Sequence, residues 1–285
     1  MVWTNFHNHC HYDDGKGTPE EHIKEAINQN VDILGFSCHA PLPFDALWTM
    51  NTDSLKEYLV VIRKLQKEYE KKIKILLGLE IDYIPNKISP SIAEYKHMNL
   101  DYSIGSVHHL DCDSKGQYMP VDASDEYFEL GLKTIYNGNI KKAVETYYRS
   151  IQEMVDLDGF DILGHFDLIK KNNKNNKYFY EDEKWYKDIV LELLEQVKNS
   201  GHIIEVNTGG MTRNYIDTTY PSPWILSECL KIGIPITLTS DSHSPKTVIS
   251  GFENAAKSLL DIGYKEIFVL RERSWVPRAL TSKQL

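Results

Sequence analysis

The chain reads as an α/β protein of parallel strands joined by crossover helices, and three observations predict this. Short β-rich runs alternate with long helical patterns along the chain. Its 285 residues suit one α/β barrel, for which roughly 250 residues is typical. Histidines and acids recur at the C-terminal ends of the β-rich runs, the level at which such folds do chemistry. Seven or eight strand–helix units favour a barrel, although an open doubly wound sheet alternates in the same way.

The first run is Val2 to His9. A helix follows from Pro19 to about Asn30, with Thr18 as N-cap, Pro19 in the first turn and Glu21 placed for a capping box. Val31 to His39 is the second run. Leu55, Leu59, Ile62, Leu65 and Tyr69 recur at helical spacing and predict a helix from about Asp53 to Lys71. Lys74 to Tyr83 and Leu100 to His108 read as strands three and four, with a short helix in Ser89 to Met98. The polar stretch Asp111 to Ser124 reads as an active-site loop. Helices fill Asp125 to Val155, Phe160 to His165 is strand five, and Lys170 to Lys177 is expected to be an exposed loop. A helix from Glu183 to Ser200 ends at Gly201. Ile203 to Asn207 and Ile234 to Ser240 are strands six and seven, helices follow Ser222 and Pro245, and Ile267 to Leu270 closes the series. No internal repeat or linker interrupts it.

Composition narrows the function. The net charge of −9 and pI near 5.7 describe a surface that does not attract nucleic acid or anionic lipid as a whole. Phosphate chemistry would then need a local positive site, which bound metal can supply. No apolar run reaches the roughly 18 residues of a membrane span, and the start lacks an apolar leader. Cys10, Cys38, Cys112 and Cys229 form no CxxC pair. That argues against a zinc finger or a disulfide framework and makes a reducing cytoplasm the default.

His7 and His9 end the first run, His39 the second, His108 and His109 the fourth and His165 the fifth. Glu80 lies in the third, Asn207 ends the sixth, and Asp241 and His243 follow the seventh. Residues two apart on an extended strand share a face, so His7 and His9 can hold one ion together. Glu80 and Asp241 can bind terminally or bridge. A histidine and carboxylate set suits Zn, Mn or Fe, in an open catalytic site rather than a closed structural one.

In this order, "FHNHCHYDDG", "SCHAPLPF", "LGLEIDY", "IGSVHH", "ILGHFD", "EVNTGG" and "TSDSH" resemble the polymerase and histidinol phosphatase (PHP) superfamily, over about residues 3 to 250. "HAPLP" and "EVNTGG" look most like its stand-alone histidinol-phosphate phosphatases. The resemblance implies one domain over residues 1–285, folded as a distorted (β/α)7 TIM-like barrel with three divalent ions, Zn, Mn or Fe. It implies that His7, His9, Glu80 and Asp241 hold the first ion, that Glu80 bridges to a second held by His108 and His165, and that His39 and His243 hold a third. The family usually has a further ligand, often histidine, before the glycine after HxH; here Asp14 precedes Gly15, with Asp13 as the alternative and His11 a weaker one. The implied reaction is metal-assisted hydrolysis of L-histidinol phosphate to L-histidinol and phosphate, with Asp241, His243 and Glu80 in the chemistry. Arg213 is the candidate for binding the phosphate, Lys170 a weaker one, and Asn207 lines the site.

The expected partner is a small phosphomonoester, with no nucleic acid or membrane; the oligomeric state is open. Plainer readings stand beside these. His22 and His97 are expected to be solvated, His109 to be a neighbour of the ligands, and His202, at the wrong strand end, to have no role. Cys10 has no histidine spaced to activate it. Trp48 and Trp224 either shape the rim or simply pack. The competing functions are another PHP-type phosphoesterase, a metal-binding regulatory module without turnover, and an amidohydrolase-type barrel, which usually carries a bridging lysine where Glu80 stands.

Overall fold

The computed structural model describes residues 3–281; Val2, the expected start of the first strand, lies outside them. Parallel strands joined by helices form the body, a mixed α/β fold. The strands are β1 (Trp3–Asn5), β2 (Val31–Phe36), β3 (Lys74–Leu77), β4 (Glu80–Asp82), β5 (Ile104–Ser106), β6 (His109–Cys112), β7 (Tyr118–Pro120), β8 (Ile162–Leu163), β9 (Ile203–Asn207), β10 (Ile236–Thr239), β11 (Glu266–Arg271) and β12 (Ser274–Ala279). Pairing divides the parallel strands between two sheets, β1-β2-β3 and β10-β9-β8-β5-β4. Two isolated parallel bridges touch both: Asn8 with Ser242, and His39 with Glu80.

The third predicted strand is interrupted between β3 and β4 for a packing reason. The Tyr102 ring lies against the backbone of Gly35 and Gly78, where any Cβ would collide with it. Its hydroxyl donates to the carbonyls of Phe6 and Phe36. The fourth strand is correspondingly short: Leu100–Ser103 is irregular, and the Asp101 carboxylate accepts from Leu77 N at 2.8 Å.

The helices are α1 (Pro19–Asn28), α2 (Thr52–Glu68), α3 (Ala93–His97), α4 (Asp125–Tyr136), α5 (Ile140–Leu157), α6 (Lys184–Ser200), α7 (Gly209–Thr212), α8 (Pro223–Ile232) and α9 (Phe252–Ile262). The Thr18–Glu21 capping box forms as expected. Gly201 ends α6 with φ 79°, a left-handed turn that costs glycine little. In α2, Leu55, Tyr58, Ile62 and Leu65 are buried, and each such side chain contributes about 2 kcal/mol of hydrophobic free energy. None of the helices among the described residues is long and apolar enough to cross a membrane.

Several local expectations change. The predicted loop after His108 contains the antiparallel hairpin β6–β7. Lys170–Lys177 is not all exposed: Lys170, Asn172 and Asn173 are buried, and two short 3-10 turns run through the segment. His22 is not solvated. It lies on the inward face of α1 with Pro19, Ile23 and Ala26, at helical spacing. The last strand, β11, pairs with an unforeseen β12. That hairpin packs Val269, Leu270, Trp275 and Val276 against Phe6, Ile33, Leu76, Tyr102, Ile104 and Ile162.

Candidate metal centre

The site's polar residues come just past the C-terminal ends of β1, β2, β3, β5, β8 and β10. Asn8 turns its amide to Gly35 O at 2.8 Å, which leaves His7 and His9 facing the other way together. His39 follows β2, Glu80 opens β4, His108 follows β5, His165 follows β8, and Asp241 and His243 follow β10. Asp241 has φ 48°, a left-handed conformation that a non-glycine residue holds only when its surroundings enforce it.

Glu80 is the hub. Its Oε2 lies 3.0 Å from His7 Nε2, 3.4 Å from His9 Nε2 and 3.1 Å from His39 Nδ1. Its Oε1 lies 3.0 Å from His165 Nε2 and 3.5 Å from His108 Nε2, and accepts from the Ser106 hydroxyl at 2.7 Å. Asp241 Oδ1 lies 3.4 Å from His9 Nε2 and 3.7 Å from His7 Nε2.

A second layer of carboxylates sets the rings. Glu205 Oε2 holds His7 Nδ1 at 2.8 Å, Asp13 Oδ2 holds His9 Nδ1 at 2.7 Å, and Asp82 Oδ1 holds His108 Nδ1 at 2.6 Å. With Nδ1 engaged, Nε2 of each ring faces inward. This is the arrangement by which carboxylates orient and enrich metal-binding imidazoles. Glu205 also accepts from His165 N, Asn207 Nδ2 and the Thr239 hydroxyl.

Charge in this space is lopsided. Burial alone would push His7 down, but Glu205, Glu80 and Asp241 carry it up to about 10. His108 rises to about 10, with Asp82 and Glu80 outweighing burial. Burial pushes His39 down to about 4. Burial would favour neutral Glu80 and Asp241, yet the surrounding histidines and, for Asp241, Arg213 hold both well below the usual carboxylate range. Protons held so tightly mark a surplus of buried negative charge that cations would balance.

Divalent ions fit the donor set. Three groups each bring their ligand atoms within 4.8 Å of one another: His7, His9 and Asp241; His39, Glu80 and His108; and His9, Asp14, His39 and His243. Although buried, His9 Nε2 and His39 Nδ1 make no hydrogen bond in good geometry; their closeness to Glu80 is that of atoms facing a common point. The donors are all nitrogen and oxygen, which suits Zn, Mn or Fe. Cys10 and Cys38 are buried with their sulfurs 3.3 Å apart, outside these groups.

All the ligand candidates except His7 and His9, which lie behind the others, line a cleft of about 490 Å³. Arg213 lies on its wall, giving Nη2 to Asp241 Oδ2 and Nη1 to Asp241 O, both at 2.8 Å. Asp14 Oδ1 meets His243 Nε2 at 3.2 Å, whereas Asp13 is taken up by His9 and the backbone; of the two acids, Asp14 is the one facing the cleft. His11 is exposed and belongs to none of the groups. Asn207 sits behind Asp241, donating to it at 3.3 Å.

Lys170 does not reach the cleft. Its buried ammonium pairs with Asp167 at 2.8 Å and donates to Thr219 O and Ser222 Oγ. Lys171 lines the cleft instead, over the Tyr215 ring that Arg213 also covers. His109 bonds Asp82 rather than the cage, and Trp48 stacks on it at the rim, while Trp224 packs on Tyr186. His202 stacks on Phe160 at the opposite strand ends. Glu205, Asp82, Ser106, Asp122 and Lys171 were not singled out from sequence. Asp82 stands two residues from Glu80, and Glu205 interrupts an apolar strand; both were readable signals. A larger open hollow, about 740 Å³, lies along α2 and holds none of these residues.

A family model for the PHP domain matches residues 5–209. A probable histidinol-phosphatase of Deinococcus radiodurans is 30% identical over 263 residues, 92% of this chain and 93% of the relative. The Bacillus subtilis histidinol-phosphatase is 29% identical over 250 residues, 83% and 91% respectively. Among solved structures, a histidinol phosphate phosphatase of Lactococcus lactis, complexed with Zn, L-histidinol and phosphate, superposes with TM-score 0.70 at 21% identity, covering 96% of this chain and 98% of its own. A Listeria monocytogenes structure described as a histidinol phosphatase gives TM-score 0.79 at 22% identity, covering 88% and 99%. At these identities the two structures speak for the fold.

Proposed function

The chain belongs to the PHP domain family, and from that membership and the cage around Glu80 we infer a histidinol-phosphatase, a phosphoric monoester hydrolase that releases phosphate from L-histidinol phosphate. The observation that carries the reading is the convergence of five inward-facing imidazoles on Glu80 beside a cationic wall.

We read the site as holding three divalent ions, of Zn, Mn or Fe. His7, His9 and Asp241 would hold one, Glu80, His108 and His165 a second, and Asp14, His39 and His243 a third, with Glu80 shared. Bound there, the ions supply Lewis acidity that lowers the pKa of water and offsets charge building on the phosphoryl oxygens. The remaining work belongs to the chain. Arg213, anchored through two N–H groups on Asp241, has further donors to offer a phosphoryl oxygen, and Lys171 adds a second cation. Asn207 and Arg213 together fix Asp241. Asp241, held low, stays ionised and bears charge rather than storing a proton. His243, bonded to Asp14, is taken up as a ligand, so the proton for the leaving alkoxide comes from solvent water in the cleft.

We read the architecture as one domain, a distorted (β/α)7 barrel. The bridges Asn8–Ser242 and His39–Glu80 are the points at which its two sheets would join. The four free cysteines suit a reducing cytoplasm.

The test is phosphate release from L-histidinol phosphate and a panel of other phosphomonoesters, with purified protein given Zn²⁺, Mn²⁺ or Fe²⁺ and a chelator control. Preference for L-histidinol phosphate by at least about 10²-fold in kcat/KM, abolished by the chelator, is expected. Preference for another ester would keep the phosphoesterase and remove the substrate. No release from any ester would leave a metal-binding regulatory module.

A further inference from the structure

We infer that Asp122 recognises the protonated amine of the substrate and so determines specificity; the inference rests on the substrate proposed above. L-histidinol phosphate carries an ammonium as well as a phosphate. The cationic wall of the cleft suits only the phosphate, so the ammonium needs a carboxylate of its own.

Four acids line the cleft: Asp14, Glu80, Asp122 and Asp241. Three are already engaged. Asp14 pairs with His243, Glu80 with the imidazole cage, and Asp241 with Arg213. The Asp122 carboxylate accepts no hydrogen bond and closes no ion pair within the described chain, although Lys171 is close by. Lys171 gives its ammonium to the Asp122 carbonyl and lies over the Tyr215 ring, 4.5 Å from its centroid.

The backbone around this free carboxylate is pinned. Val121 N donates to His108 O at 2.8 Å, Asn172 Nδ2 donates to Val121 O at 2.9 Å, and Lys171 holds the next carbonyl. One of these bonds runs to a residue of the cage, so the distance from Asp122 to the reacting end of the cleft is fixed by the fold. A rigid main chain under an unpartnered side chain is the arrangement expected of a recognition group, because little order remains to be imposed on binding. Asp122 also borders an adjoining hollow of about 530 Å³, which gives an amine-bearing leaving group room on its side of the cleft.

The experiment compares the metal-loaded protein with Asp122→Asn and Asp122→Glu. Two esters are assayed, L-histidinol phosphate and phenyl phosphate, which has no amine. Calorimetry measures binding of L-histidinol and of 3-(imidazol-4-yl)propan-1-ol, the same alcohol without the amine. Asp122→Asn is expected to lose about 10²-fold or more in kcat/KM on L-histidinol phosphate and less than about 3-fold on phenyl phosphate. It should bind the two alcohols about equally, whereas the unaltered protein prefers L-histidinol; Asp122→Glu should recover part of both preferences. Equal losses on both esters would mean that Asp122 merely supports the loop, and no loss on either would remove it from recognition. If the unaltered, loaded protein cleaves phenyl phosphate but not L-histidinol phosphate, the substrate reading falls and the pairing with it.

Discussion

Glu205 touches no face of the cleft, yet it holds His7 Nδ1, His165 N, Asn207 Nδ2 and the Thr239 hydroxyl. Glu205→Gln keeps the volume and removes the charge. It is expected to weaken ion binding by about 10- to 100-fold, the usual cost of losing such an outer partner, and metal content after competition with a graded chelator would read it. Unchanged affinity would mean that His7 needs no carboxylate behind it. The candidate ligands were legible in the sequence because each ends an apolar run, where an unpaired polar group is costly to bury. The orienting acids were less so. Asp82 shares a strand face with Glu80 by the two-residue rule, and Glu205 stands two before Asn207, but neither spacing says which histidine it serves. The choice between Lys170 and Lys171 was beyond reach, since their segment folds as short 3-10 turns whose register follows from the burial of its neighbours.

Among the elements, the Tyr102 strut ties β1 to β2 directly beneath the histidines those strands carry. Gly35→Ala would push a methyl into the Tyr102 hydroxyl and ring. Overpacking of this kind costs about 1–3 kcal/mol, so a lowered urea midpoint with an unchanged slope is expected. A neutral result would mean that the ring can yield. Most longer helices were predicted within a few residues because caps and spacing are local signals. Thr18 and Gly201 behaved as written, and in α2 Leu55, Ile62 and Leu65 are buried, although Tyr58 turns inward where Leu59 was expected and Leu59 is only half-buried. Strand ends were overrun because the apolar run continues past the last ladder bond into residues that serve the site. β12 escaped notice because Pro277 and Arg278 break its apolar pattern, and an edge strand tolerates both.

For the whole molecule, the cage makes stability depend on pH in a way that metal should reverse. His7 and His108, near 10 when folded, titrate at about 6.5 in an unfolded chain. In the metal-stripped protein their contribution is therefore complete below about pH 6.5 and lost as pH rises toward 10. Glu80 and Asp241 are held low, so theirs is present above about pH 4 and lost on acidification. Stripped protein should be most stable at roughly pH 5–6 and weaken toward pH 9, while stabilisation by added Zn²⁺ or Mn²⁺ grows over the same range, because ions need the imidazoles free of protons. Thermal melts at several pH values, with and without metal, would show it. A gap between loaded and stripped melting temperatures that did not widen with pH would sink the idea.

The β11–β12 hairpin supplies Val269, Leu270 and Trp275 to the small apolar cluster that also holds Phe6, the residue immediately before His7. During synthesis every histidine and carboxylate of the site leaves the ribosome before this hairpin does. A chain halted between α9 and β11 would own the complete chemistry but leave Phe6 and its neighbours wet. The vectorial order of translation thus delays assembly of the centre until its last, chemically silent piece arrives. Halted chains should be cut readily by protease and released ones should resist.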